Sequence, residues 1–250
     1  MDVATVEALR ERHRVVRANQ NEVLAVRLHR AISWLHRAGQ DNGDDDARFI
    51  LLWIAFNAAY AGEFDGEQSE RQRVADFISR LVAVDSQQQL HRLLFQQFSG
   101  PVRLLIDNRY VFAPFWRALR DHDSSDRWKQ RFDASRKAAM DAALGQRTAE
   151  LLSIVLDRLY VLRNQLVHGG ATWNSSINRA QLRDGCALLS ALLPAMISLM
   201  METDAFSDDA IAYPVVPEYS TTRKSTVAVV STTPCSQGPA TATETVAPTD

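Results

Sequence analysis

The sequence predicts an all-α protein. Apolar residues recur at three- and four-residue spacing through most of residues 1–201, and no segment alternates convincingly as a strand would. Glycine and proline fall at Gly39, Gly43, Gly100-Pro101, Gly145 and Gly169-Gly170, which cuts the chain into helix-sized pieces. A hydrophobic fraction of 46% over 250 residues is enough for one large or two small packed domains. The resulting plan has three parts. Residues 1–43 form an N-terminal amphipathic helix, residues 44–203 a helical domain with an insertion at about 65–145, and residues 204–250 an acidic, disordered tail.

The first helix is expected over residues 3–37, with a break near Asn19-Gln20-Asn21. Its apolar positions include Val6, Leu9, Leu24, Leu28, Ile32 and Leu35. The arginines between them form either a solvated face or an RNA-contacting stripe. Asp44-Asp45-Asp46 offers N-caps for a second helix at about 47–61. That helix is apolar nearly all round, so it should be buried. Asn57 interrupts it, either as a core amide bonded to a neighbour or as support beneath an active site. Two capping boxes follow, Ser69-x-x-Gln72 and Ser86-x-x-Gln89. Gly100-Pro101 then breaks the chain, with short helices at 102–107 and 112–120 and a longer one at 125–144. Phe112, Phe115, Trp116 and Trp128 form an aromatic cluster, read as core packing or as a surface for stacking bases.

Thr148 is the expected cap of the next helix. Leu152, Val155, Leu159, Leu162 and Leu166 occupy one face, with Asp157, Asn164 and His168 opposite. The last helix should start after a Ser175 or Ser176 cap and run from 177 to about 201, kinked at Pro194. Its Met196, Met200 and Met201 belong to the core or to a dimer seam.

The most informative stretch is Arg163-Asn164-Gln165-Leu166-Val167-His168-Gly169-Gly170. Arginine holds phosphate in a planar fork. Histidine moves protons near neutrality. Arg117 with His122 and Arg30 with His36 share the spacing, but only Arg163 is followed directly by an amide, and only His168 by glycines and a second long apolar helix. Asn164 and His168, four apart, can meet. Arg163 and His168 lie about 140° apart on an ideal helix. They converge only if the arginine curls round, the terminal turn frays, or a second copy completes the site.

This phrase resembles the Arg-x4-to-6-His signature of the HEPN superfamily of helical domains, and Trp53-x-Ala55-Phe56-Asn57 resembles the first helix of Apea-like bacterial members. The resemblance covers about residues 45–201, with the sharp match at 163–170. It implies a helical bundle of HEPN type and a metal-independent endoribonuclease that uses the RNA 2′-hydroxyl to attack the adjacent phosphate. His168 would be general acid or base, Arg163 the phosphate clamp, and Asn164 the group orienting either. Asn57, Asp157 and Gly169 would bind substrate or support the site. A homodimer, a toxin or phage-defence role and a cognate antitoxin protein are further implications. The alternative is a non-catalytic helical module that binds RNA, a nucleotide or a protein.

Composition narrows the other classes. Cys186 and Cys235 are too few for a disulfide framework. The start of the chain shows no signal-peptide pattern, and the longest uncharged apolar run, residues 186–201, falls short of a bilayer span of about 18–20 residues. A cytoplasmic protein without a membrane span is therefore expected. No phosphate-binding lysine loop, dinucleotide fingerprint, His-Glu-x-x-His or Cys-x-x-Cys occurs, so no cofactor and no metal is expected. The net charge of -2 combines an acidic tail with a mildly basic body, which permits nucleic-acid contact.

Overall fold

The computed structural model describes residues 3–40, 43–60, 70–207, 211 and 213–215. Every regular element among these residues is helical, so the protein is all-α. The α-helices are α1 (Val3–Val16), α2 (Glu22–Gln40), α3 (Asp45–Tyr60), α4 (Glu70–Val84), α5 (Gln89–Arg92), α6 (Ser99–Asp107), α7 (Ala113–Arg120), α8 (Arg127–Leu144), α9 (Thr148–Val167) and α10 (Arg179–Met201).

Two long helices form the centre because their sequences leave no polar stripe. On α3, Phe49, Leu52, Ala55, Phe56 and Ala59 are fully buried. On α10, Leu189, Leu193, Met196, Ile197 and Met200 are fully buried. The methionine-rich end thus packs inside this chain and is not a free dimer seam. Composition and length would let α10 cross a membrane, but here most of it is covered by other helices. Gly185 lets α10 approach closely, because a Cβ there would lie 2.8 Å from the Phe49 ring and 3.0 Å from a Leu159 methyl.

The N-terminal segment is two helices separated by a 3-10 turn at Arg17–Asn19, close to the expected break. It is part of the main body, since α2 packs along α3 and residues 1–215 form one compact unit. Arg27 on α2 is 1% exposed. Its Nε and Nη2 donate to the Ala59 carbonyl, and its Nη1 to the Phe206 carbonyl at 3.1 Å. Arg27 thus serves a carbonyl in the last turn of α3, where intrahelical donors run out.

Several boundaries differ from expectation. The expected tail begins too early at 204, because Phe206 is fully buried against Phe77, with ring centroids 5.4 Å apart. Residues 216–250 and the Ser69 cap lie outside the described residues. Asp85, not Ser86, caps α5, accepting from the Gln89 and Leu90 N–H groups at 2.9 and 2.8 Å. Pro101 does not break a helix. It sits in the first turn of α6, where its missing N–H costs nothing. Thr148 is the first residue of α9, and its hydroxyl meets His91 Nδ1 instead of capping. The last helix starts at Arg179, later than expected, and continues through Pro194. The Asp44 cap is as expected, accepting from the Asp46 and Ala47 N–H groups at 3.0 and 3.1 Å.

His13, 4% exposed, places Nε2 3.1 Å from the Ala25 carbonyl and stacks on His29. Burial lowers its pKa, the bond to the Ala25 carbonyl partly opposes this, and His29 and Arg17 lower it further. A folded-state pKa below the unfolded one means that the unfolded chain takes up the proton first as pH falls. Stability should therefore fall as pH drops through the unfolded-state value of about 6.5 and on through the lowered folded-state value. His13→Gln, which does not titrate, should flatten that slope in urea denaturation. An unchanged slope would assign the effect elsewhere.

Candidate active site

The motif occupies the last turn of α9. That turn is intact, since the His168 N–H still donates to the Asn164 carbonyl at 3.0 Å. The expected fraying is therefore not what brings the groups together. Arg163 instead turns toward its neighbour, and its Nη1 donates to Asn164 Oδ1 at 2.8 Å. Asn164 lies one turn before His168 on the same face. Arg163 thus reaches toward Asn164, the residue four before His168, and no hydrogen bond joins Arg163 to His168. Arg163 and Asn164 are half-buried, His168 is exposed, and no hydrogen bond to its ring occurs among the described residues.

Gly169 ends the helix with φ +69°, a conformation that side-chain-bearing residues adopt at a cost. Gly170 follows against Gln165, where a Cβ would meet that residue's carbonyl oxygen at 3.3 Å. The Ala171 N–H then donates to the same carbonyl at 3.1 Å.

The loop after the glycines is anchored to the start of α3. The Trp173 indole donates to Asp44 Oδ2 at 2.9 Å, and the Asn174 N–H to Asp46 Oδ2 at 3.2 Å. Arg179 pairs with Asp46 at 2.8 Å, both side chains being largely buried. Hydrogen bonds from the Ala47 N–H and the Trp173 indole hold the Asp44 carboxyl below its usual pKa. Gln165 ties the motif in two more directions: its Nε2 donates to the Tyr110 carbonyl at 2.6 Å, and its Oε1 accepts from Asn178 at 3.1 Å. Neither Gln165 nor the acidic run stood out as part of the site in the sequence. The signal was available in Gln165, the residue directly after the amide.

Asp157 lies two turns before Asn164 on the same face of α9 and pairs with Arg71 Nε at 2.9 Å. Burial pushes its pKa up and Arg71 pulls it back. It belongs to a cleft between α3, α4 and α9 and has no hydrogen bond to the motif. Asn57 lies one turn beyond Trp53 on α3. Its Oδ1 is buried without a partner among the described residues, and no hydrogen bond joins it to Arg163, Asn164 or His168. The rival spacings have other surroundings. His36 pairs with Glu7 at 3.2 Å, and His122 sits in a turn with φ +50°.

The expected aromatic cluster falls into two groups, and Phe112 packs with Phe132 against a buried cation. The Arg158 guanidinium lies 4.4 Å from the Phe112 ring centroid and 5.3 Å from that of Phe132, and burial lowers its pKa to about 10. Phe115 packs edge-on against Trp128, while Trp116 and Tyr110 remain partly exposed. Among the described residues no cluster of three or more His, Cys, Asp or Glu side chains could hold a metal.

No family model, curated protein or solved structure matches the chain. The all-α class rests on the helices themselves, and the HEPN resemblance on the motif and the helix that carries it.

Proposed function

We propose that the protein is a metal-independent endoribonuclease of HEPN type. The observation that supports this most is the Arg163–Asn164 hydrogen bond, which gathers a phosphate-binding cation on the helix face of an exposed histidine. In the proposed reaction the RNA 2′-oxygen forms a bond to phosphorus and the bond to the 5′-oxygen breaks. A 2′,3′-cyclic phosphate and a 5′-hydroxyl result. His168 takes the 2′-hydroxyl proton or returns one to the departing 5′-oxygen. Arg163 holds the phosphate and offsets charge developing on it. Asn164 spends its carbonyl on Arg163 and keeps its N–H groups for substrate or for the His168 ring.

A homodimer is part of the reading. Val167, Trp173 and Ile177 are 48%, 74% and 73% exposed along the motif end and its loop, an apolar rim suited to a second copy. A cytoplasmic toxin or phage-defence effector, restrained by an antitoxin, is the role we attach to this chemistry.

The test is cleavage of mixed RNA in EDTA by wild type, Arg163→Ala and His168→Ala, with end-group analysis. Each variant should lose about a hundred-fold or more in rate, and wild type should leave cyclic phosphate ends. Equal cleavage by all three, or none by wild type, would move the reading to a non-catalytic helical binding module.

A further inference from the structure

The face of α9 that carries Asn164 continues back along the helix through Tyr160, Asp157 and Ser153. That half of the stripe lines a cleft of about 470 Å³, within the size range of small-ligand sites. Val74 and Ala75 of α4 face it from one side, and Trp53 of α3 closes it. The Trp53 and Tyr160 ring centroids lie 6.1 Å apart, inclined by 53°. Arg71 and Asp157 pair on its lining.

Trp53 is 3% exposed, and its indole Nε1 has no hydrogen-bond partner among the described residues. Buried tryptophan N–H groups are normally paired, and an unpaired one costs free energy until an acceptor arrives. One turn further along α3, the Asn57 Oδ1 is also buried and has no partner among the described residues. The rest of the lining carries polar groups, with Glu70, Gln72 and Ser153 beside the Arg71–Asp157 pair. Aromatic and apolar walls with an unused indole donor and polar groups at the edge suit a flat heteroaromatic ring bearing an in-plane acceptor. Nucleobases meet that description, and proteins that read single-stranded RNA hold them by stacking and edge hydrogen bonds. The cleft starts one to two helical turns from Asn164, about 6 to 10 Å along the axis.

We propose that the cleft between α3, α4 and α9 is a nucleobase pocket, with Trp53 Nε1 donating to the base next to the phosphate held by Arg163 and Asn164. The inference rests on the ribonuclease reading for the position of that phosphate. It makes Trp53 and Tyr160 determinants of which nucleotide flanks the cut.

The experiment is a titration of the ¹⁵N-labelled full chain, following the indole N–H signals by NMR. The probes are the 3′-monophosphates of adenosine, guanosine, cytidine and uridine, with ribose 5-phosphate as the base-free control. Trp53→Phe assigns the signal. At least one nucleotide should shift the Trp53 indole, and ribose 5-phosphate should not. Trp53→Phe should weaken that nucleotide by about three- to ten-fold, the loss of one neutral hydrogen bond. The Trp116 and Trp173 indoles, bonded to the Tyr110 carbonyl and to Asp44, serve as internal controls. A silent Trp53, or a shift produced equally by ribose 5-phosphate, overturns the pocket. Because the titration needs no turnover, an RNA-cleaving protein with a silent Trp53 sinks the pocket alone. An inactive protein whose Trp53 answers a nucleotide sinks the ribonuclease reading instead.

Discussion

Arg27→Met should destabilise the protein by about 3 to 5 kcal/mol. Methionine replaces most of the volume but none of the donors. The Ala59 and Phe206 carbonyls, bonded to the guanidinium in the folded protein, would stay behind without it. Buried charges can sometimes be exchanged for apolar residues at no loss, but only when every polar partner is removed with them. Here the partners are main-chain oxygens, which no side-chain substitution removes. Arg27→Lys should recover part of the loss, because a single ammonium cannot reproduce the planar fork. Urea denaturation decides the matter. A midpoint for Arg27→Met close to wild type would show that the network adds little.

Gly185→Val should cost about 3 kcal/mol or somewhat more. Glycine inside a helix is ordinarily a weakness, and alanine improves it by about 1 kcal/mol. At this position the added carbon meets the Phe49 ring and Leu159, both fully buried and unable to swing into solvent. Gly185→Ala should therefore fail to stabilise, and valine should force α3 and α10 apart. The double variant Phe49→Leu/Gly185→Ala should be more stable than the sum of its single changes, since the smaller side chain vacates the contested space. Strict additivity would mean that the strain is relieved somewhere else.

What could be read from the chain followed the strength of its periodicity. The α3 and α9 segments carry long, unambiguous patterns, and their positions came close to expectation. The Asp44 cap was legible because a carboxylate ahead of an apolar run has one obvious use. Ser86 misled because its capping spacing was matched by a better acceptor one residue earlier, Asp85. Phe206 was hidden among polar neighbours, and only a long-range fit to Phe77 and Arg27 places it inside. At the candidate site, Arg163, Asn164 and His168 were visible as a phrase. The turn of Arg163 toward Asn164 was one of several geometries the spacing allowed. Trp53 entered only through the resemblance of its helix and carried no role of its own. A tryptophan in an apolar helix looks like core until its indole nitrogen is found without a partner.

The anchoring of the motif loop has a consequence in time. Asp44 and Asp46 reach Trp173 and Arg179 across 129 and 133 residues. Contacts so distant in sequence close late, after the chain between them has been ordered. During synthesis, Arg163 and His168 emerge before Arg179 and the whole of α10. Until those later residues arrive, the acidic start of α3 has nothing to grip, and the segment after Gly170 hangs free. The complete arrangement therefore requires the chain to be made as far as α10. A nascent protein, or a fragment ending soon after His168, would carry the letters of the motif without its anchor.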